Sequence, residues 1–225
     1  MIGLFKSLSQ AMRGKPIQAG QVFLRPPSRR DVRKWLTLRS ESRSFLEPWE
    51  PTWPKDALTR KAFFRRLRTY AIHTNSDTAY IFLIFRKEDR ALLGSISIND
   101  VRRGVAQSCS IGYWIGENYS RKGYMSEALS ALLPFIFHRL KIHRIEAACL
   151  PQNNASRALL NKIGFHEEGY VRRYLKINGQ LIFPKKYPFE NQKLILIKKT
   201  GKNSFDQKEL FDVKFVPLLN KNIEH

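Results

Sequence analysis

Residues 119–129 read Tyr-Ser-Arg-Lys-Gly-Tyr-Met-Ser-Glu-Ala-Leu, a basic turn with one glycine that runs directly into a patterned helix. Apolar residues then recur at three- and four-residue steps, the spacing of one buried helical stripe: Met125, Ala128, Leu129, Leu132, Leu133, Ile136, Phe137 and Leu140. The first N–H groups of such a helix lack intrahelical partners and carry partial positive charge. The stretch therefore predicts a helix whose first turn binds an anion such as a phosphate.

Three residues of the turn suit phosphate binding. Arg121 and Lys122 add positive charge to that of the helix end. Gly123 lets the backbone approach a ligand because it has no Cβ. A helix start that is basic by chance is the alternative to an anion site. The turn alone does not distinguish the two, and the flanking sequence does.

An ordered set of short motifs surrounds the turn. They are Gly112-Tyr113, Gly116-Glu117, residues 123–129, His143-Arg144, Asn153 with Ser156, residues 162–165 and Glu168-Gly169-Tyr170. In this order and spacing the chain resembles the GNAT family of N-acetyltransferases, and within it the RimJ and RimL type that acetylates the N-termini of ribosomal proteins. The resemblance covers about residues 21–180. In one departure, Ser120 stands where the family usually has Gln or Arg, so we expect Arg121 to reach phosphate from a slightly different angle.

The resemblance implies an α+β fold with a mixed, mostly antiparallel central sheet that is flanked by helices. It also implies acetyl-CoA as co-substrate and no metal. The residues that would bind acetyl-CoA are Arg121, Lys122, Gly123, Tyr124, Met125 and Asn153. Ser156 matches the position of a proposed proton donor to the coenzyme thiolate, while a hydroxyl that satisfies helix N–H groups is the alternative for it.

Acetyl transfer to an amine also requires that the amine lose a proton. Glu117, at the end of the strand before the turn, is the first candidate for handling this proton through water, and Glu168 is the second. A solvated carboxylate at a strand end is the alternative for Glu117. No nucleophile triad is evident, which agrees with direct transfer between two reactants held in line.

The acidity of the amine favours one class of acceptor. An α-amine has a pKa of about 8 and a lysine side chain has a pKa of about 10.4, so deprotonating lysine at neutral pH costs about 3.5 kcal/mol more. Because the base candidates are weak, the N-terminus of a polypeptide is the easier acceptor. The resemblance implies that it is the N-terminus of a ribosomal protein, with alanine as its first residue by the closer similarity to RimJ. Two alternatives stay open: a small-molecule amine acetyltransferase, and a ribosome- or RNA-associated factor whose catalysis is secondary or lost.

Charge and size set further limits. The chain has 225 residues, 43% of them hydrophobic, and a formal net charge of +21. A surplus of this size predicts attraction to polyanions, chiefly RNA, the ribosome or an anionic membrane. Ribosomal RNA or the ribosome is the expected contact of the basic surface, and a basic surface that serves general solubility is the alternative. No apolar run is long enough to cross a membrane, and the expected location is cytoplasmic. Cys109 and Cys149 lack metal-binding spacing and are expected to be small core residues.

The pattern along the chain predicts the order of elements. Strands are expected at 22–25, 80–85, 92–99, 107–116 and 142–150, and helices at 28–45, 56–73, 125–140 and 155–162. A loop rich in Pro and Trp spans residues 47–54. Pro134 lies inside the third helix, where the unbroken apolar stripe predicts a bend and not a stop.

Composition changes near residue 181. Residues 1–180 hold 21 Arg, 10 Lys and 14 Ala, whereas residues 181–225 hold 9 Lys and neither Arg nor Ala. We therefore divide the chain into an N-terminal extension (1–20), an acetyltransferase domain (21–180) and an atypical C-terminal segment (181–225). One hypothesis for the last segment is a reading-frame change or a foreign sequence, and a lineage-specific tail is the other.

Overall fold

The computed structural model describes residues 15–169 and, beyond them, the backbone of four strands: Lys176–Ile177, Gln180–Leu181, Lys193–Lys199 and Phe205–Asp212. Residues 1–14 of the N-terminal extension and most of the C-terminal segment lie outside the described residues. The division of the chain into an extension, a domain and a tail therefore stays a prediction.

A six-stranded sheet forms the centre of the domain, with its strands in sequence order. The strands are β1 (Ile17–Gln18), β2 (Val22–Arg25), β3 (Tyr80–Arg86), β4 (Leu92–Arg102), β5 (Ser108–Ile115) and β6 (Arg144–Ala147). Neighbours pair antiparallel except β5 and β6, which are parallel. The remaining strands form two separate antiparallel pairs, β7 (Lys176–Ile177) with β8 (Gln180–Leu181) and β9 (Lys193–Lys199) with β10 (Phe205–Asp212).

Five α-helices accompany the central sheet in the described part of the chain. They are α1 (Val32–Glu41), α2 (Arg43–Leu46), α3 (Arg60–Asn75), α4 (Tyr124–Pro134) and α5 (Asn154–Lys162). The predicted helix at 28–45 is divided at Ser42. The predicted helix at 56–73 begins only at Arg60 because the Thr59 hydroxyl accepts a hydrogen bond from Ala62 N at 3.1 Å and caps the helix there.

Helices cover both faces of the sheet, which explains the unbroken apolar run of β3. Tyr80, Phe82 and Ile84 pack in the same cluster as Leu129 and Leu132 of α4. The alternate residues Leu83 and Phe85 pack in a second cluster with α1 and α3, which contribute Trp35, Leu38 and Phe63. A strand buried on both faces shows no alternation of apolar and polar residues. The predicted α+β fold, a mostly antiparallel sheet flanked by helices, is confirmed.

Two further predicted elements differ from the structure. After Pro134 the chain continues as a π-helical turn over Phe135–Arg139, so the prediction that proline does not stop the helix is correct, and the change in hydrogen bonding follows from its missing N–H. The strand predicted at 142–150 is wrong in length, because β6 covers only Arg144–Ala147. Its register with β5 runs from Ser108↔Arg144 to Ile111↔Ala147 and ends there.

An ion pair with a buried carboxylate connects distant parts of the fold. Asp77, at the end of α3, accepts hydrogen bonds at 2.6 and 2.7 Å from the Arg103 guanidinium and a further one from the Tyr80 hydroxyl. Arg103 also donates to the Leu140 carbonyl, just after the π-helical turn. Burial and the Asp77 carboxylate together raise the pKa of Tyr80. The cluster therefore joins elements that pack against opposite faces of the sheet.

Candidate active site

The turn before α4 has the backbone geometry of an anion site. Arg121 has φ 58° and Gly123 has φ 83°, while Lys122 between them has no positive φ. Backbone angles that alternate in this way turn successive N–H groups toward one point. A left-handed arginine is uncommon and costs energy, which makes this turn a candidate for function.

The N–H groups of the turn are available for a ligand. From Arg121 to Ser126, no backbone N–H donates a hydrogen bond to another described residue. The next N–H along the chain, that of Glu127, donates to the Gly123 carbonyl at 3.0 Å. A Cβ added at Gly123 would find no atom within 4 Å, and the Arg121 and Lys122 side chains are exposed. These features fit the diphosphate of acetyl-CoA.

Tyr124 and Met125 can contribute only their backbone to this site. Their side chains are 8% and 6% exposed and belong to the core under α4. The acidic residue of the same helical turn is also occupied elsewhere, since Glu127 Oε1 accepts a hydrogen bond from Gln21 N at 2.5 Å. This bond holds the carboxylate toward the loop between β1 and β2, where it tethers the first turn of α4.

A gap opens between β5 and β6 beside the turn. β6 pairs with β5 only as far as Ile111, and no described strand pairs with this edge of β5 from Gly112 to Ile115. The opposite edge of the same segment is paired, because Gly94↔Ile115 and Ser97↔Gly112 are in register with β4. The open edge therefore presents unpaired backbone groups that an extended chain containing amides can satisfy.

Tyr113 of this open segment contacts Ser156 of α5. The phenolic oxygen and the serine hydroxyl oxygen are 2.7 Å apart. Ser156 does not cap its own helix, because Asn153 Oδ1 accepts the hydrogen bond from Ser156 N at 3.0 Å. The hydroxyl is thus free of the structural role that was its alternative, and the first observed role of Asn153 is that of the N-cap.

The protonation of Tyr113 follows from its surroundings. Burial, together with a smaller effect of the nearby Cys149 thiol, raises the pKa of Tyr113 to about 12, against the lowering effect of the Ser156 hydrogen bond. The phenol therefore keeps its proton throughout the neutral range.

The two cysteines differ in burial. Cys109 is buried, as predicted for a core residue, whereas Cys149 is only half-buried.

Glu117 lies apart from this hydrogen-bonded pair. It begins the short 3₁₀ turn Glu117–Tyr119, its side chain is exposed, and no hydrogen bond connects it to Tyr113 or Ser156. Its backbone N–H donates to the Ser42 hydroxyl at 3.0 Å, which ties the end of β5 to α1. The structure thus brings Ser156 and Asn153 together at the start of α5. It leaves Glu117 on the side of the turn at residues 119–123, which we call the phosphate turn.

Sequence reasoning missed Tyr113 as a site residue. It entered the sequence pattern only as the neighbour of Gly112, and 43 positions separate it from Ser156. The parallel pairing of β5 and β6 was the signal that was needed, because it brings the start of α5 beside the middle of β5. In the described part of the chain, no cluster of His, Cys, Asp and Glu could hold a metal ion, and no helix has the length and apolar character to span a membrane.

Comparison with known proteins shows which family this chain matches. The model of the acetyltransferase (GNAT) domain matches residues 21–166. A probable N-acetyltransferase of Bacillus subtilis, YjcK, is 37% identical over 158 residues, which are 70% of this chain and 87% of that protein. The [ribosomal protein uS5]-alanine N-acetyltransferase of Escherichia coli is 34% identical over 151 residues, 67% of this chain and 78% of the relative.

Solved structures give the same result. Ribosomal-protein-S5-alanine acetyltransferase from Vibrio fischeri superposes with a TM-score of 0.70 at 26% identity, covering 75% of this chain and 92% of the other. Mycobacterium smegmatis RimJ in complex with CoA-disulfide superposes with a TM-score of 0.68 at 30% identity, covering 75% and 86%. The matched family span ends before the change in composition at residue 181.

Proposed function

The chain belongs to the GNAT acetyltransferase family and is an acetyl-CoA-dependent N-acetyltransferase, and we propose that it acetylates the N-terminal amine of a ribosomal protein, with alanine as the acceptor residue. The observation that carries the acceptor is the similarity to a uS5-alanine N-acetyltransferase over most of that relative's length. The same proposal places the reaction in the cytoplasm, where ribosomes are assembled.

The chemistry of this chain supports an α-amine as the acceptor. The candidate base Glu117 is an exposed carboxylate at a strand end. An exposed carboxylate suits an amine with a pKa of about 8 better than a lysine side chain with a pKa of about 10.4. The net charge of +21 also opposes the approach of small polycations and favours an acceptor presented on ribosomal RNA.

Two parts of the chain would hold acetyl-CoA. The N–H groups from Arg121 to Met125, with the Arg121 and Lys122 side chains, would bind its diphosphate. The open edge of Gly112–Ile115 would pair with the amides of its arm, and Asn153 would contribute through the side-chain N–H groups that the cap leaves available. When bound, acetyl-CoA supplies an acetyl group activated as a thioester.

Ser156 and Tyr113 would manage the proton that the departing thiolate needs. Tyr113 stays protonated and would donate its hydrogen bond to Ser156 Oγ, an orientation that would direct the serine proton away from the phenol. Ser156 would then give this proton to sulfur as the carbon–sulfur bond breaks, and would recover a proton from solvent afterwards. Tyr113 would act by orienting Ser156 and by stabilising the negative charge that develops on its oxygen.

The amine proton would leave on the other side of the reaction. Glu117 stands at the end of β5, one turn before the phosphate site, and it would accept the proton through water. Its separation from the Ser156 pair keeps the two proton transfers apart. The chain would thus deprotonate the incoming amine and protonate the leaving thiolate with two different groups.

Labelled acetyl-CoA tests the acceptor. The full chain is incubated with labelled acetyl-CoA and a bacterial ribosomal extract, and acetylated peptides are identified by mass spectrometry. We expect the label on an N-terminal α-amine that begins with alanine. The Gly123→Glu variant, in which cofactor binding should fail, controls for acetylation by enzymes in the extract.

Synthetic peptides sharpen the result. One peptide has a free N-terminal alanine, a matched peptide has an acetylated N-terminus and an internal lysine, and a small diamine is the third acceptor. Rapid turnover of the first alone supports the proposal. Labelling of the lysine or of the diamine with a free alanine left unmodified would overturn it, while the N-acetyltransferase class would stand.

A further inference from the structure

A second positively charged site is lined by residues other than those of the phosphate turn. An open groove of about 630 Å³ runs between the start of α1 and the β3–β4 hairpin. Five cationic side chains line it, namely Arg25, Arg30, Lys34, Lys87 and Arg90. We call this feature the basic groove; no residue from 119 to 129 lines it.

The single carboxylate of the basic groove neutralises only one of these cations. Asp31 is buried and accepts two hydrogen bonds from Arg25, at 2.6 and 2.8 Å. Although burial opposes it, the bonds from Arg25 and from Ser28 lower the pKa of Asp31, so the carboxylate stays charged. The Arg25–Asp31 pair is therefore neutral and contributes no net charge to the groove.

The other four cations are exposed and have no carboxylate partner among the described residues. Arg30, Lys34, Lys87 and Arg90 form no ion pair there, and Lys34 Nζ donates instead to the Arg90 carbonyl at 2.7 Å. Like charges held together on a concave surface repel one another and concentrate positive potential. Such an arrangement favours a ligand with several negative charges in a row.

The floor of the basic groove is flat and aromatic. The Phe23 and Phe85 rings stack with centroids 5.3 Å apart and planes inclined by 17°. The Arg25 guanidinium lies over Phe85, with its central carbon 4.2 Å from the ring centroid. The Arg25 side chain is 31% exposed, so one planar group of this stack faces the groove. Bases of single-stranded nucleic acid stack on arginine and aromatic planes of this kind.

We propose that the basic groove binds single-stranded RNA. Phosphates contact Arg30, Lys34, Lys87 and Arg90, and a base stacks on the floor formed by Arg25 and Phe23. A membrane surface fits less well, because the exposed large apolar residues of the described chain, Trp49, Ile72, Val105 and Phe137, do not line the groove. This activity is additional to acetyl transfer and would hold the enzyme on RNA near its acceptor.

Charge removal at two sites tests the proposal. The full chain with Arg30→Ala and Lys87→Ala is compared with a matched variant that carries Lys61→Ala and Arg68→Ala on α3, where both side chains are exposed and form no ion pair with a described residue. The probe is a fluorescent oligouridylate of about 12 nucleotides. We expect at least about tenfold weaker binding for the groove variant at physiological salt, and a salt slope reduced by about 1.4. The control variant should stay within about twofold of wild type.

Further measurements separate base stacking, diffuse charge, coenzyme binding and membrane binding. An abasic oligomer of equal length should bind at least about fivefold more weakly than oligouridylate, because stacking is lost. Equal losses in both variants would show diffuse charge and overturn the proposal, as would wild-type chain that binds no RNA. Acetyl-CoA affinity should be unchanged in the groove variant; a parallel loss would assign the groove to the coenzyme. Binding of the groove to anionic vesicles but not to RNA would assign it to a membrane surface.

Discussion

The phenolic oxygen of Tyr113 lies 2.7 Å from the hydroxyl oxygen of Ser156 and connects β5 to the start of α5. Tyr113 belongs to the segment of β5 that β6 leaves unpaired, and Ser156 belongs to the first turn of α5. A phenol that donates to the serine oxygen would leave the serine proton free for another acceptor. Under the proposed function Ser156 is the proton donor and Tyr113 orients it.

Replacement of Tyr113 by Phe should lower kcat about three- to tenfold, since one hydrogen bond to Ser156 is lost. The Kd for acetyl-CoA should change little, because the phosphate turn is untouched. Ser156→Ala should cost more, about a hundredfold in kcat, since it removes the proton donor itself. Steady-state kinetics and calorimetry measure both quantities.

The double variant tests whether Tyr113 acts through Ser156. If it does, Tyr113→Phe in the Ser156→Ala background should have no further effect on kcat, because the group that it orients is gone. Fully additive losses in the double variant would show that Tyr113 acts on its own. Equal kcat for Ser156→Ala and wild type would return Ser156 to a structural role.

The pH dependence of kcat should rise and then stay level. Burial raises the pKa of Tyr113 to about 12, and an acid with a raised pKa keeps its proton to higher pH. The phenol therefore stays protonated throughout a titration from about pH 6 to 10, and only the deprotonation of the acceptor α-amine, at about pH 8, should appear. A falling limb near about pH 10 that disappears in Tyr113→Phe would contradict this assignment.

Two substitutions at Gly123 separate backbone strain from charge. With φ at 83°, any side chain is strained, so Gly123→Ala should lower the free energy of unfolding by about 1–2 kcal/mol. No protein atom lies within 4 Å of the added Cβ, but the methyl group would stand where a phosphate approaches the backbone, so acetyl-CoA binding should weaken without being lost. Gly123→Glu shares the strain but sets a negative charge against the diphosphate, so binding should be lost. Calorimetry that finds the same affinity for both variants would remove the turn from the site.

The sequence predicted the elements that local chemistry specifies. β2 has the predicted bounds, Val22–Arg25, and the helix after Gly123 follows its apolar stripe. The boundaries were less certain where one hydrogen bond decides them. Thr59 caps α3, so the helix begins at Arg60, four residues later than the predicted start at residue 56. The sequence does not show which residue makes the capping hydrogen bond.

Features that depend on distant pairing could not be predicted. The early end of β6 follows from its register with β5, and the residues of neither strand predict where the pairing ends. The contact of Tyr113 with Ser156 depends on that register, and so does the gap that exposes Gly112–Ile115. The basic groove was foreseen only as net charge, because its residues come from three separate segments of the chain.

The buried Asp77 should be a larger contributor to stability than to catalysis. Its 5% exposed side chain is paired with Arg103, and Asp77→Ala would leave that guanidinium without its carboxylate, at a cost of about 3 kcal/mol in the free energy of unfolding. Asp77→Asn should cost about half as much, since asparagine tolerates the left-handed φ of 57° and still accepts from Tyr80. Urea denaturation measures both variants, and kcat below the unfolding transition should match wild type because neither Tyr113 nor Ser156 contacts the cluster. Equal stability of Asp77→Ala and wild type would show that solvent replaces the pair at no cost, and that Arg103 holds the Leu140 carbonyl without help from Asp77.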